Sequence, residues 1–255
     1  MRFMSVNLRF ENDFDGENHW TLRRDLLAKT ILKYKPQVVG TQEGKPTQLA
    51  FLEDALQGYR MSADTRHWDG SCQYPTLYYV DDYFVLLEGS EFWLSETPGT
   101  HMSKNWDSAF PRMLSYALLE TKQTGKRLWA AVTHLDHVSE WARIEGAKLI
   151  RDWATELKAP AVLLGDFNDV PGSHVHRILS QPGGPFTDSW EAMGRKEHRG
   201  SYTQHGFTGV PGIGRIDWIL VTSDFRVMDG AVVHDHEDGR YPSDHFPYYA
   251  DLELK

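Results

Sequence analysis

The chain alternates short apolar runs with longer stretches in which apolar residues recur every three or four positions. Residues 3–8 read as a strand. Leu22, Leu26, Leu27, Ile31 and Leu32 then fall at helical spacing, which predicts a helix over 22–34, stopped by Pro36. Val38-Val39-Gly40-Thr41 resumes as a strand, and Pro46 suits the first turn of a helix burying Leu49, Leu52 and Leu56. Residues 77–80 and 84–87, split by Asp81-Asp82, are expected to form a tight hairpin. A second hairpin is expected where 114–120 and 128–133 flank Gln123-Thr124-Gly125-Lys126, because glycine accepts the positive φ of such turns. The longest expected helix is 139–157, with Ala142, Ala147, Ile150, Trp153 and Leu157 inward. Residues 161–164 carry no polar interruption, as in a strand covered on both faces, and 216–221, 227–233 and 248–254 supply late strands.

Many strands with few helices, lacking strict strand–helix alternation, imply sheets packed on each other with helices outside, an α/β (α+β) arrangement. No composition break marks a linker, so one domain over 1–255 is expected. The stretches 62–76 and 95–111 fit no element, and loops of that length are often functional.

Composition narrows the classes. With 40% hydrophobic and 25% charged residues in 255, the chain suits a folded protein with a sizeable core, not wholesale disorder. Lys+Arg number 27 against 36 Asp+Glu, a net charge of −9, which disfavours a nucleic-acid partner unless a local basic face survives the average. A single cysteine, Cys72, forms neither an internal disulfide nor a thiolate metal site. The opening residues lack a leader-like apolar run, and no stretch approaches the roughly 18 apolar residues of a membrane span, so a cytoplasmic protein is expected.

Short polar clusters follow the apolar runs: Asn7; Gln42-Glu43; Thr133-His134-Leu135-Asp136-His137; Gly165-Asp166-Phe167-Asn168; Arg215-Ile216-Asp217; and Ser243-Asp244-His245. Most stand at the carboxyl end of a strand, where a sheet edge opens as a crevice. Each has a bland alternative. Glu43 could cap or be solvated, Asp166 and Asn168 could be turn residues, His134 a core histidine and Arg215 a surface charge. An extended backbone would instead point Asp166 and Asn168 the same way. Asp217, inside an apolar run, is costly to bury without a partner. Were Glu43, Asp166, Asp217 and Asp244 to converge, they would repel one another without a cation. Carboxylates and amides are the hard ligands of Mg²⁺ or Mn²⁺, and the chain has no zinc-type His-Glu-x-x-His helix.

Taken in order, these six clusters resemble the endonuclease/exonuclease/phosphatase superfamily, the DNase I-like metal-dependent phosphoesterases, over nearly the whole chain. The resemblance implies a four-layered α/β sandwich: two face-to-face, mostly antiparallel sheets flanked by helices. It also implies hydrolysis of a phosphate ester with Mg²⁺ or Mn²⁺. Position by position, Glu43 would be the principal metal ligand, with Asn7 beside it holding metal or phosphate, and Asp244 binding metal directly or through water. Asp166 would orient and deprotonate the attacking water, and Asn168 would hold that water or a phosphoryl oxygen. His245 would contact phosphate with Asp217 fixing its tautomer, and His134 would donate to the developing charge. Arg112, after the long loop, is a candidate phosphate clamp. Trp20, Tyr79, Trp106 and Trp141 are candidates for stacking on a sugar or base, against the commoner core reading.

The segment Thr133-His134-Leu135 is unlike the abasic-site endonuclease branch, whereas Asp69-Gly70-Ser71-Cys72 and the run 92–98 are similar to small bacterial-type members. The expected substrate is therefore a small or exposed phosphate ester such as a sugar, inositol or lipid-head-group phosphate. A nuclease and a catalytically dead binding scaffold stand as alternatives.

Overall fold

The computed structural model describes residues 1–63 and 66–255. Two six-stranded sheets lie face to face. The first contains β1 (Arg2–Asn7), β2 (Val38–Gly44), β3 (Tyr59–Met61), β4 (Tyr74–Val80), β11 (Phe225–Val232) and β12 (Tyr248–Leu254), in the order β11-β12-β1-β2-β4-β3. The second contains β5 (Phe84–Trp93), β6 (Met113–Thr121), β7 (Arg127–His134), β8 (Ala161–Asp166), β9 (Thr187–Asp188) and β10 (Asp217–Val221), in the order β5-β6-β7-β8-β10-β9. Pairing is antiparallel except for β1 with β2 and β7 with β8. Those parallel pairs need crossovers, supplied by α1 (Trp20–Tyr34) and α3 (Glu140–Glu156). The remaining helices are α2 (Pro46–Ala55), α4 (His174–Ser180) and α5 (Ser189–Ala192).

Alternation along the strands builds the layers. Phe3, Val38, Leu77, Val132, Leu164 and Ile219 face the space between the sheets. Their neighbours Met4 and Val39 pack with Leu27 and Ile31 of α1 and Leu49 and Leu52 of α2. On the other side, Leu163 and Leu220 pack with Ala147 and Ile150 of α3 and Leu179 of α4. Three apolar layers between four structural ones make an α/β sandwich, as expected. At Gly40 the sheets pack tightly, an added Cβ lying 3.1 Å from side-chain atoms of Leu164 and Val132.

Two expectations fail, and for Trp20 and Tyr79 the commoner core reading holds. Strands β4 and β5 do not pair as a hairpin: the turn at Asp81-Asp82 carries the chain from one sheet to the other, β4 pairing with β2 and β3, and β5 with β6. Two short apolar runs split by two turn residues read alike in either arrangement, so the pattern alone does not separate them. On α1, Leu22 and Leu32 are exposed while Trp20 and Arg23 are buried. Arg23 tolerates burial because its guanidinium donates to the carbonyls of Leu8, Arg9, Asn18 and Pro242, and burial lowers its pKa to about 10. Trp20 and Tyr79 are core residues, buried in different layers, and do not offer stacking faces. The Gly125 hairpin joins β6 to β7 as expected, with φ 68 at the glycine.

Of the two unassigned stretches, 62–76 ends in β4, and its residues 64 and 65 lie outside the described residues. The other, 95–111, contains no helix or strand. Among the described residues, no helix is long and apolar enough to cross a membrane.

Candidate active site

The topology delivers the polar clusters to one edge. Strands β1, β2, β7 and β8 all end there, and β10, antiparallel to β8, starts there, so Asp217 lies opposite Asp166 and His134 beside it. Strand β12, antiparallel to β1, also starts at this edge, just after Asp244-His245. Gly165 lets β8 lie flush on β7: an added Cβ would stand 2.6 Å from the carbonyl oxygen of Thr133. Asn7 joins the two sheets, its Nδ2 donating to Glu43 at 3.1 Å and to Asp166 at 3.0 Å.

Asp166 is the hub, and is buried. Its Oδ1 accepts from the Asn168 amide at 2.9 Å, and its Oδ2 lies 3.5 Å from His134 Nε2 and 3.8 Å from His245 Nδ1. Burial pushes its pKa up, and the charges of Asp217 and Glu43 push the same way against His245 and the Asn168 N–H. Glu43 is held in a left-handed backbone conformation, φ 64, where its carboxylate accepts from Asn7 and from the Phe10 amide at 2.9 Å. A non-glycine residue at such φ costs of order 1 kcal/mol and persists only when its surroundings over-determine it.

His245 Nδ1 pairs with Asp217 Oδ2 at 2.8 Å. Burial opposes the imidazolium, but the Asp217 and Asp166 carboxylates outweigh it, so the pKa of His245 stands well above the ordinary histidine value. His134 is the opposite case. Burial, reinforced by Arg112 and His245, holds its pKa well below the ordinary value. Asn168 Nδ2 bridges His134 Nε2 and the Leu135 carbonyl, both at 3.0 Å, a network that fits the neutral ring protonated on Nδ1. Asn168 is not extended. Its φ of 49 and the bond from its N–H to Asp166 make a turn, so Asp166 and Asn168 meet by curling, not by alternation.

The other expected residues are placed as follows. Asn7 faces the carboxylates through its nitrogen, its Oδ1 accepting from the Arg9 amide. Arg112 is 7% exposed, 3.7 Å from Asp136, with Nη2 against His137 Nδ1 at 3.3 Å and no hydrogen-bond partner for Nε among the described residues. Burial lowers its pKa, while Asp136, Glu43 and Asp166 act in the other direction. Asp244 is half-buried and accepts from Ser243 Oγ at 3.3 Å. Arg215 is not a surface charge: fully buried, it pairs with Asp188 at 2.7 Å and Glu197 at 2.8 Å. Trp106 is half-buried and Trp141 is 55% exposed.

Donor atoms of Glu43, His134 and Asp166 lie within 4.8 Å of one another, as do those of Asp166, Asp217 and His245. Carboxylate-rich oxygen donors around a buried acid of raised proton affinity suit a hard divalent cation. A third grouping, His176, Asp188 and Glu191, differs: its Asp188 is already the partner of Arg215 and His176. A groove of about 810 Å³ lies at the opposite end of the strands, lined by Met1, Arg2, Lys126 and Leu254 among others, and its Arg2 and Asp251 pair with each other.

Asp136 has a larger part than its sequence position suggests. It accepts from the Ser139 and Val138 amides at the start of α3 and from Ser108 and Ala109 in the long loop. It thereby fixes both loops around Arg112. An Asp three residues ahead of the N-cap Ser139 of a helix was the signal available. Thr203, in a stretch with no apolar rhythm, gave none.

A model of the Endonuclease/Exonuclease/phosphatase family matches residues 4–245. No curated protein matches the chain. Among solved structures, an endonuclease/exonuclease/phosphatase family protein from Bacteroides thetaiotaomicron is 29% identical, with a TM-score of 0.90, covering 100% of this chain and 98% of its own. The endonuclease/exonuclease/phosphatase from Bacteroides vulgatus is 30% identical over the same shares, with a TM-score of 0.89. A mannosyl-6-phosphatase of Bacteroides thetaiotaomicron is 28% identical over 100% of both chains, with a TM-score of 0.87.

Proposed function

The chain belongs to the endonuclease/exonuclease/phosphatase family of metal-dependent phosphoesterases, and from that premise we propose that it hydrolyses a small phosphate ester, a sugar phosphate first among them, by in-line attack of water. The observation that carries this reading is the meeting of Glu43, Asp166, His134 and the Asp217–His245 pair at one sheet edge.

Magnesium or manganese would be held by Glu43, with Asp244 as a further ligand and Asn7 bridging Glu43 to Asp166. When bound it supplies positive charge to the phosphoryl oxygens. Asp166, with its raised proton affinity, accepts the proton of the attacking water, and Asn168 keeps that water aligned. His245, kept charged by Asp217, donates to a phosphoryl oxygen, where preorganised donors act most strongly. His134 holds the Asn168 side-chain amide through Nε2, and the guanidinium of Arg112, beside Asp136 at 3.7 Å and His137 at 3.3 Å, supplies positive charge to a second oxygen.

A sugar phosphate is favoured over nucleic acid by the net charge of −9, which opposes a long polyanion, and by the mannosyl-6-phosphatase likeness over the full length of both chains. The deciding experiment is a metal-by-substrate screen with Mg²⁺ and Mn²⁺ against hexose phosphates, inositol phosphates, phospholipid head-group esters, p-nitrophenyl phosphate, its bis-ester and single-stranded DNA. Release of phosphate from hexose phosphates at the highest kcat/KM is expected. Turnover confined to DNA would overturn the substrate assignment in favour of a nuclease, and no turnover of any ester would leave a binding scaffold.

A further inference from the structure

The Asp217–His245 pair has an unusual support. Asp217 uses one carboxylate oxygen on His245, and its Oδ1 is buried with no hydrogen-bond partner among the described residues. The carboxylate is therefore not fixed by hydrogen bonds at both oxygens, and its aim depends on where the backbone puts it. Thr203 sets that backbone. It is fully buried, and its Oγ1 accepts from the amides of Ile216 at 3.1 Å and Asp217 at 3.3 Å. Its own N–H donates to the Gly214 carbonyl at 3.0 Å, and its carbonyl accepts from the Phe246 amide at 2.8 Å. The next residue, Gln204, forms an isolated bridge with His245. One threonine thus touches the chain on both sides of the pair, at the first residue of β10 and one residue past His245.

We infer that Thr203 is a positioning residue that sets the distance and alignment of Asp217 and His245 by bonding the backbone of both segments. The inference rests on the catalytic reading of that pair. The hydroxyl is the testable part. Valine keeps the shape but has no acceptor, which would leave two buried amides unpaired, whereas serine restores the oxygen.

Two readouts test this. The first is kcat and KM with Mn²⁺ and p-nitrophenyl phosphate. Thr203→Val should lower kcat about tenfold or more with KM changed less than about twofold, and Thr203→Ser should recover most of the loss. In an Asp217→Asn background, Thr203→Val should cost little further, because the interaction it supports is already gone. The second readout needs no turnover: the far-downfield imidazole N–H proton resonance of His245, assigned by its loss in His245→Gln. It should shift or broaden in Thr203→Val and return in Thr203→Ser. Wild-type kcat and an unmoved resonance in Thr203→Val would overturn the inference, as would equal losses in the valine and serine variants, or full additivity with Asp217→Asn. If Thr203→Val does not fold, Thr203→Ala lacks the same acceptor and is read by the same outcomes. A wild-type protein that turns over no ester would count against the phosphoesterase reading, while the resonance would still decide the role of Thr203.

Discussion

At the scale of residues, the site is built from groups held where they would not sit by preference. Glu43 occupies a left-handed backbone conformation beside another carboxylate, so strain and repulsion both act on the metal-free protein. Glu43→Gln should therefore abolish metal-dependent activity without lowering, and with a small rise in, the melting temperature measured in EDTA. A clear fall would show that the carboxylate stabilises the fold. His205 gives a separate pH handle. Burial lowers its pKa to about 4, so the unfolded chain takes up a proton that the folded ring refuses. Its contribution is intact above pH about 6.5 and is lost as pH falls, by about 2 kcal/mol at pH 5. Since His205 stacks on Phe246 at 3.9 Å, His205→Phe keeps the contact and should flatten the acid limb of the stability profile in melts from pH 7 to 5. The residues legible in the sequence were those whose side chains face the crevice, such as Asp166, Asp217 and His245. Of those that act by bonding backbone, Asp136 shows only as an Asp ahead of a helix and Thr203 not at all, nor does the curl at Asn168, which depends on one φ angle.

At the scale of elements, periodicity located the long helices and most strands, because burial of one face leaves its period in the chain. It failed where partner choice lies beyond one element. The turn at Asp81-Asp82 reads as a hairpin although it joins two sheets, and α1 buries Arg23 in place of Leu22 because four loop carbonyls wait for that guanidinium. Arg66 plays a similar part in the first long loop. Its side chain, 2% exposed, donates to Glu91 of β5, Thr76 and Pro75 of β4 and Ser115 of β6, and so rivets the loop to both sheets. Removing a buried charge with this many partners costs about 3–5 kcal/mol, so Arg66→Ala should lower the denaturation midpoint strongly. Arg66→Lys should not restore it, since an ammonium lacks the planar fork. Recovery by lysine in chemical denaturation would refute the rivet.

At the scale of the whole molecule, two parallel strand pairs, one in each sheet, end at the same edge, and the antiparallel strands beside them begin there. That is how residues as distant in sequence as Asn7 and His245 come to share Asp166. The mutual repulsion of the acids is the cost of this convergence, and a bound cation should offset it. Saturating Mn²⁺ at about 100 times its Kd should raise the stability of the wild type by about 2.7 kcal/mol, and that of Glu43→Gln by much less. The measurement closest to the central claim is the steady-state rate of phosphate-ester hydrolysis, with Mn²⁺ and with EDTA, for the wild type and Asp166→Asn. We expect hydrolysis that EDTA abolishes, and a loss of about 10²–10⁴-fold in Asp166→Asn with its melting profile preserved. Hydrolysis indifferent to EDTA, or a near-wild-type rate in Asp166→Asn, would contradict it.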